Sequence, residues 1–334
     1  MADVLAAPAS TPSPEIAVVL VTSDPVRISK VLRCYRAGTD LDLIEIVVVA
    51  LAGAPVERAA LTALGFRHVH LIAVDGFDFG RAEEAAVRAA TAPYVVFGQV
   101  HGYPRPGFVA ALLAVTRAGQ WTIVGPAMAN ANPESRVSWA AMCIHYGPWS
   151  VRKPRGAATS LPGHHSAYQR AALLALGSEL YPHLDAGNSL QEALAARGGT
   201  FLFEPAAVLA IVNISRLGSF LADQFLQATK FARQRRRGWS ALRRLLYVAG
   251  APLIPIVRLG RVLRTLHREA RLGELARGWA PLAAGLIVNA AGECLGYAAD
   301  VDVAPLRVDT ALDRLRYVRA ADRRHELDES TWPT

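Results

Sequence analysis

Over its first 130 residues the chain alternates continuous apolar runs with amphipathic stretches. Glu15 to Thr22 (EIAVVLVT) and Ile44 to Leu51 (IEIVVVAL) are β-branched and lack polar alternation, the pattern of strands buried on both faces. His68 to Val74 and Tyr94 to Phe97 repeat it, and Thr122 to Met128 reads as a further strand. Between them the spacing predicts helices. Ser23-Asp24-Pro25 supplies a cap and a first-turn proline ahead of Val26, Val31 and Leu32. Further helices are expected around Pro55 to Leu64, from Gly80-Arg81-Ala82 to about Ala90, and over Gly107 to Ala118. Such alternation implies an α/β fold with a doubly wound, mostly parallel sheet. Tyr94 to Phe97 then runs into polar residues and a Pro/Gly cluster, and open α/β sheets hold ligands beyond strand ends of this kind.

Beyond Leu209 the period becomes helical. Phe220, Phe225, Leu226 and Phe231 mark an amphipathic helix ending in Arg233 and Arg235 to Arg237. Two apolar stretches follow, Leu245 to Val257 and Trp279 to Ala291. Each is about 13 residues, short of the ~20 a spanning helix needs, and the first contains Pro252 and Pro255. Both read as re-entrant or interfacial. Between them Arg258, Arg261, Arg264, Arg268 and Arg271 fall at steps of three and four beside Leu259, Val262, Leu263 and Leu266. That pattern suits a basic helix on an anionic membrane surface; a solvated face packed on the first domain is the alternative. The expected division is a disordered lead-in (1–14), an α/β domain (15–210), an amphipathic helical membrane-associated region (211–300) and a charged tail (301–334). In the tail, Asp309 is placed to cap a helix through Val318. The lead-in lacks a basic segment followed by an apolar one, so no secretory signal is expected. The expected location is cytoplasmic, peripheral on the inner face of the cell membrane, without a spanning helix.

Charge and cysteine usage narrow this picture. The net charge of +8 comes from arginines concentrated after Arg233 and interleaved with Leu and Val, which argues against nucleic acid as a partner. Cys34, Cys143 and Cys294 are far apart and lack metal-ligand spacing, consistent with a reducing compartment.

The segment YVVFGQVHGYPRPGF resembles the strand-end segment of family 2 glycosyltransferases, in which a strand enters an acidic metal-binding triplet and then a Pro-x-Pro-Gly-aromatic turn. IVGPAMANANPESRVSWAAMCIHYGPW, LPGHHSAYQR (161–170), RGGTFLFEPAAVL (197–209), RRLLYVAGAPLIPIVRL (243–259) and GECLGY (292–297) continue the likeness, in order, to a membrane-associated subgroup. The resemblance implies a GT-A fold and inverting transfer from a nucleotide sugar to a hydroxyl of a glycan or lipid-linked acceptor. The subgroup's Glu-Asp-His triplet stands here as Gln99-Val100-His101. His101, His164, Tyr168 and Arg170 match its pattern, and His165 replaces an Asn. Gly187 stands where the resemblance places the base carboxylate, with Asp185 two residues upstream as the nearest substitute. The catalytic candidates are therefore Asp185 and His164. The donor-side candidates are Asp24, Asp75, Arg81, Gln99 and His101, and the acceptor-side ones are His165, Tyr168 and Arg170. Turn capping by Asp24 and Asp75 and a surface role for Arg81 explain those three equally well.

Transfer from a nucleotide sugar needs the departing diphosphate neutralised and a base near the attacking oxygen. Mg²⁺ or Mn²⁺ on carboxylates is the cofactor the resemblance implies, but Gln99 and Val100 bring no charge. His101 and Gln99 offer a hard cation at most one imidazole and one amide oxygen, a weak seat. Fixed cations such as Arg81 or Arg170 are the substitute. Two readings stand: a divergent glycosyltransferase, and a catalytically silent relative acting as a membrane-bound binding or scaffold subunit. His68, His70, His145 and His183 read as structural or surface residues.

Overall fold

Parallel pairing orders the first four strands as β3-β2-β1-β4: β1 (Ile16–Thr22), β2 (Ile44–Leu51), β3 (His68–Val74) and β4 (Tyr94–Gly98). The structure is a computed structural model that describes residues 12–23, 25–37, 40–51, 56–76, 78–185, 189–301 and 314–322. The sheet continues through short antiparallel segments. β8 (Ala167–Gln169) lies between β4 and β6 (Ile123–Asn130), antiparallel to both. β9 (Phe201–Ile211) runs parallel to β6 and carries β5 (Gly102–Pro104) and β7 (Gly156–Ala157) antiparallel.

Successive strand residues point to opposite faces, which is why these runs lack polar alternation. Ile16, Val18 and Leu20 pack with Val31 and Leu32 of α1 (Pro25–Arg36) and with Leu112 of α4 (Phe108–Thr116). Ala17, Val19 and Val21 pack on the other side with Ala82 and Ala86 of α3 (Phe79–Ala89) and Leu190 of α8 (Ser189–Ala196). The sheet is thus doubly wound, as the alternation predicts, with α2 (Arg58–Thr62) beside β3. The one carboxylate inside β2's apolar run, Glu45, is fully buried. It accepts hydrogen bonds from the Thr91 and Ala92 amides (each 2.8 Å to Oε2) and pairs with His70 Nε2 at 2.8 Å, so its burial is compensated.

A third core joins this domain to the C-terminal helices α9 (Leu217–Arg235), α10 (Ala241–Gly250), α11 (Ile254–Arg268) and α12 (Leu272–Ala298). Ala140 of α5 (Arg136–His145), Phe220, Leu266, Leu282 and Leu286 form it. Glycine lets α12 approach α9 closely. A Cβ at Gly292 would collide with the Phe225 carbonyl oxygen, and one at Gly296 would stand 2.6 Å from that of Thr229. The GECLGY run is therefore a packing surface, with Glu293 paired to Arg258 and Tyr297 stacked on Trp239 at 5.6 Å.

Two expectations change here. Trp279 to Ala291 is not a separate short segment but a section of the 27-residue helix α12, packed on one face with Trp279 and Ile287 exposed on the other. The first apolar stretch does not stand alone either. α10, a 3-10 turn and α11 form one run of 28 residues, Ala241–Arg268, long and apolar enough by length and composition to cross a membrane. Pro252 and Pro255 do not interrupt it, because each falls in the first turn of its segment, where the missing N–H has no partner to lose. Part of the expected tail also packs. Val318 is fully buried, and the Tyr317 carbonyl accepts from the Ser215 and Arg216 amides. Of the helix expected from Asp309, the described part, Arg314–Tyr317, is a 3-10 turn.

Candidate active site

Past the C-terminal end of β4 lies a cavity of about 420 Å³ lined by Phe97, Glu83, His164, Tyr168, His145 and Leu184, among others. The loop from Leu161 to Ser166 forms one wall, and its polar groups are tied down individually. Gln191 of α8 accepts from the Leu161 amide and donates to the Leu161 carbonyl, both at 2.9 Å. Tyr168 donates to the Gly163 carbonyl at 2.7 Å, and Ser166 Oγ to that of Pro162 at 2.6 Å. Burial pushes the Tyr168 phenol well above its ordinary range, which keeps it protonated as this donor. His165 donates its amide to the Phe97 carbonyl at 2.7 Å and adopts φ 69°, a left-handed backbone that Asn and His tolerate better than most residues. Its buried ring lies against Gly102, where a Cβ would sit 2.5 Å from Cε1.

These restraints present His164 to the cavity, with Nε2 3.2 Å from Oε1 of the buried Glu83 on α3. A histidine held by a carboxylate through one nitrogen keeps the other for proton transfer. His145, read from the sequence as structural, lines the same cavity from the end of α5. Its Nε2 is 2.7 Å from the Gln224 amide nitrogen and 3.9 Å from the Asp223 carboxylate on α9. Behind α5, Asn132 and Asn213 exchange hydrogen bonds of 2.8 and 2.9 Å, and Ser138 Oγ lies 2.7 Å from Asn132 Oδ1. This buried brace fixes the ends of β6 and β9 against α5. Its sequence signal is polar residues terminating apolar strands, in ANAN and VNIS.

The other expected residues are dispersed. Gln99, Val100 and His101 turn inward and are buried, and Gln99 Oε1 has no hydrogen-bond partner among the described residues. Arg81 pairs with Asp78, the cap of its own helix, and lies over the Tyr181 ring of α7 (Leu180–Asp185). Asp75 is exposed in the turn after β3. Arg170 stands at the opposite end of β4, beside Pro93, and donates to the carbonyls of Val87 and Arg88 at the end of α3. Asp185 closes α7, while Asp24 and Gly187 lie outside the described residues. As a metal seat the triplet fits poorly. It offers one amide oxygen and one imidazole, and among the described residues no group of three His, Cys, Asp or Glu side chains converges on a point.

No family model matches the chain, and no curated protein does. Solved structures do. The mannosyltransferase PcManGT from Pyrobaculum calidifontis, determined with GDP-Man and Mn²⁺, superposes with a TM-score of 0.50 at 17% identity, covering 85% of this chain and 88% of that one. The fold is GT-A-like. S. aureus TarS (residues 1–349) matches at 11% identity and a TM-score of 0.45, over 85% of this chain and 90% of that one. GalNAc-T7, determined with UDP, GalNAc and Mn²⁺, matches at 13% and 0.45, over 59% and 43%.

Proposed function

We propose that this GT-A-like chain is a glycosyltransferase that moves a sugar from a nucleotide-sugar donor to a hydroxyl of a glycan or lipid-linked acceptor, with inversion. The observation that carries the proposal is the His164–Glu83 pair opening on the cavity beyond β4. Glu83 accepts from His164 Nε2, leaving Nδ1 to take the acceptor hydroxyl's proton. The acceptor oxygen forms its bond to the anomeric carbon as the bond to the diphosphate oxygen breaks on the opposite face, and the diphosphate leaves with the electron pair. Glu83 balances the imidazolium until the proton passes to solvent. Asp185 is the competing base, and loss of turnover in Asp185→Asn but not in His164→Ala would assign the step to it. No step is routed through a metal, because the residues of the triplet do not fit one.

The proposed location is the cytoplasmic face of the membrane. The uncharged run between Arg244 and Arg258 spans about 20 Å at 1.5 Å per residue, against roughly 30 Å of hydrocarbon, so the helix lies in the interface with its arginines at the headgroups. One observation favours the second reading, a silent binding or scaffold subunit: the strand-end triplet is buried and carries no carboxylate. Calorimetric titration with UDP, GDP and dTDP, with and without Mn²⁺, separates the two. A working site binds at least one nucleotide without metal and hydrolyses the corresponding donor sugar. Absence of binding and of hydrolysis leaves the scaffold reading.

A further inference from the structure

Helix α7 separates two cavities. Leu184 faces the one beyond β4, while Tyr181 and Pro182 line a larger cleft of about 750 Å³ against the ends of α9 and α12 and the first turn of α10. Lys230, Arg233, Arg236, Arg237 and Arg244 line this cleft against one carboxylate among the described residues, Asp300. The inner wall is partly neutralised. Asp300 accepts from Arg233 and Arg236 at 3.0 Å each, and Arg236 also donates to the Tyr297 carbonyl. Lys230, Arg237 and Arg244 are exposed at the mouth. Cations gathered this closely repel one another unless an anion lies between them, and guanidinium forks match phosphate oxygens.

The surroundings indicate what the anion is attached to. On α10, Arg244 stands beside Leu242, Leu245 and Leu246, all exposed, and the exposed apolar face continues through Leu253, Ile256 and Val257. A charged cleft that opens onto a bare apolar helix suits an anionic head with an apolar tail.

We propose that this cleft binds the phosphate or diphosphate head of a membrane amphiphile, with Arg237 and Arg244 as its cationic contacts and the apolar α10 face lying in the lipid. If the transferase reading above holds, that amphiphile is the lipid-linked acceptor. α9 then connects the sites: Gln224, at His145, precedes Lys230 by six residues, about 9 Å along the axis.

Sedimentation of the full chain with phosphatidylcholine vesicles tests the inference. One set contains a few mole per cent of a long-chain prenyl phosphate, and a second contains phosphatidylglycerol at matched surface charge. Arg237→Ala/Arg244→Ala is expected to lower binding to the prenyl phosphate vesicles about tenfold or more, and binding to the phosphatidylglycerol vesicles by much less. Arg264→Ala/Arg268→Ala, which removes the same charge from α11 outside the cleft, is expected to lower both alike. All four positions are exposed, and circular dichroism checks that each variant folds. Equal effects of the two variants on both vesicle types would overturn the site in favour of diffuse electrostatics. Loss of UDP, GDP or inorganic diphosphate binding in Arg237→Ala/Arg244→Ala, with vesicle binding unchanged, would overturn the lipid source. Nucleotide binding that survives in this variant leaves the transferase proposal standing whatever the vesicles show.

Discussion

Gln99, Val100 and His101 turn into the interior with 8%, 2% and 0% of their surface exposed, whereas Pro162 to His164 hold a loop that opens on the cavity, with the His164 side chain 38% exposed. The sequence resemblance places the expected site motifs in these two stretches, and both lie at the same end of β4. The first is packed and carries no charge. Val100 belongs to the core cluster with Tyr103 and Phe108, and no carboxylate faces outward. At the second, Gln191, Tyr168 and Ser166 restrain one loop that serves to present a histidine to a buried glutamate. Under the proposed function, proton transfer and charge neutralisation are thus assigned to separate stretches of the chain. The side proposed to move a proton is held in place, and the triplet on the other side is part of the core.

The largest effect is expected from placing acids in the triplet. Gln99→Glu/Val100→Asp would bury charge without a partner and is expected to cost about 3–5 kcal/mol in denaturant titration. A variant as stable as the parent that gained Mn²⁺ affinity would show the triplet to be an open seat. Next in size is Gly102→Ala, whose new Cβ would meet the His165 ring at 2.5 Å and Leu209 at 3.2 Å; overpacking of this kind costs about 1–3 kcal/mol. Gln191→Leu removes both bonds to the Leu161 backbone and is expected to cost about 2 kcal/mol. It should lower kcat more than nucleotide affinity, because it loosens the loop that carries His164. The smallest effect is expected far from both motifs. The hydrogen bond from Arg117 holds the Glu15 carboxyl below its ordinary range. The pair's contribution is thus present above the unfolded carboxyl's value and is lost as pH falls through the lowered folded one. Since the pair is exposed, Glu15→Gln should cost less than about 1 kcal/mol at pH 7, and the difference from the parent should vanish in acid.

What the sequence discloses follows from what is local. The strands β1 to β4 and β6 and their intervening helices are legible because burial on both faces writes itself as continuous apolar runs. β5, β7 and β8 have three residues or fewer and no periodicity to read; long-range pairing creates them. The same pairing decides Arg170. β8 runs antiparallel to β4, which carries Arg170 back to Pro93 and the end of α3, away from the cavity. His164 is legible from its motif, but Glu83, 81 residues earlier, is not, because only the packing of α3 on the sheet brings it there. His145 is hidden for the same reason, since α5 acquires its position from α9, α12 and the Asn132–Asn213 brace. The prolines at 252 and 255 mislead because a run of residues does not state where a helix restarts.

In the proposed reaction the His164–Glu83 pair takes the acceptor's proton in a transfer that needs no divalent cation. Donor-sugar turnover measured in the presence of EDTA, for the parent and for His164→Ala, tests it directly. The chelator is expected to leave parental turnover unchanged, and His164→Ala to lower kcat by about 10²- to 10⁴-fold with nucleotide affinity retained. Turnover abolished by EDTA and restored by Mn²⁺, with His164→Ala as active as the parent, would contradict it.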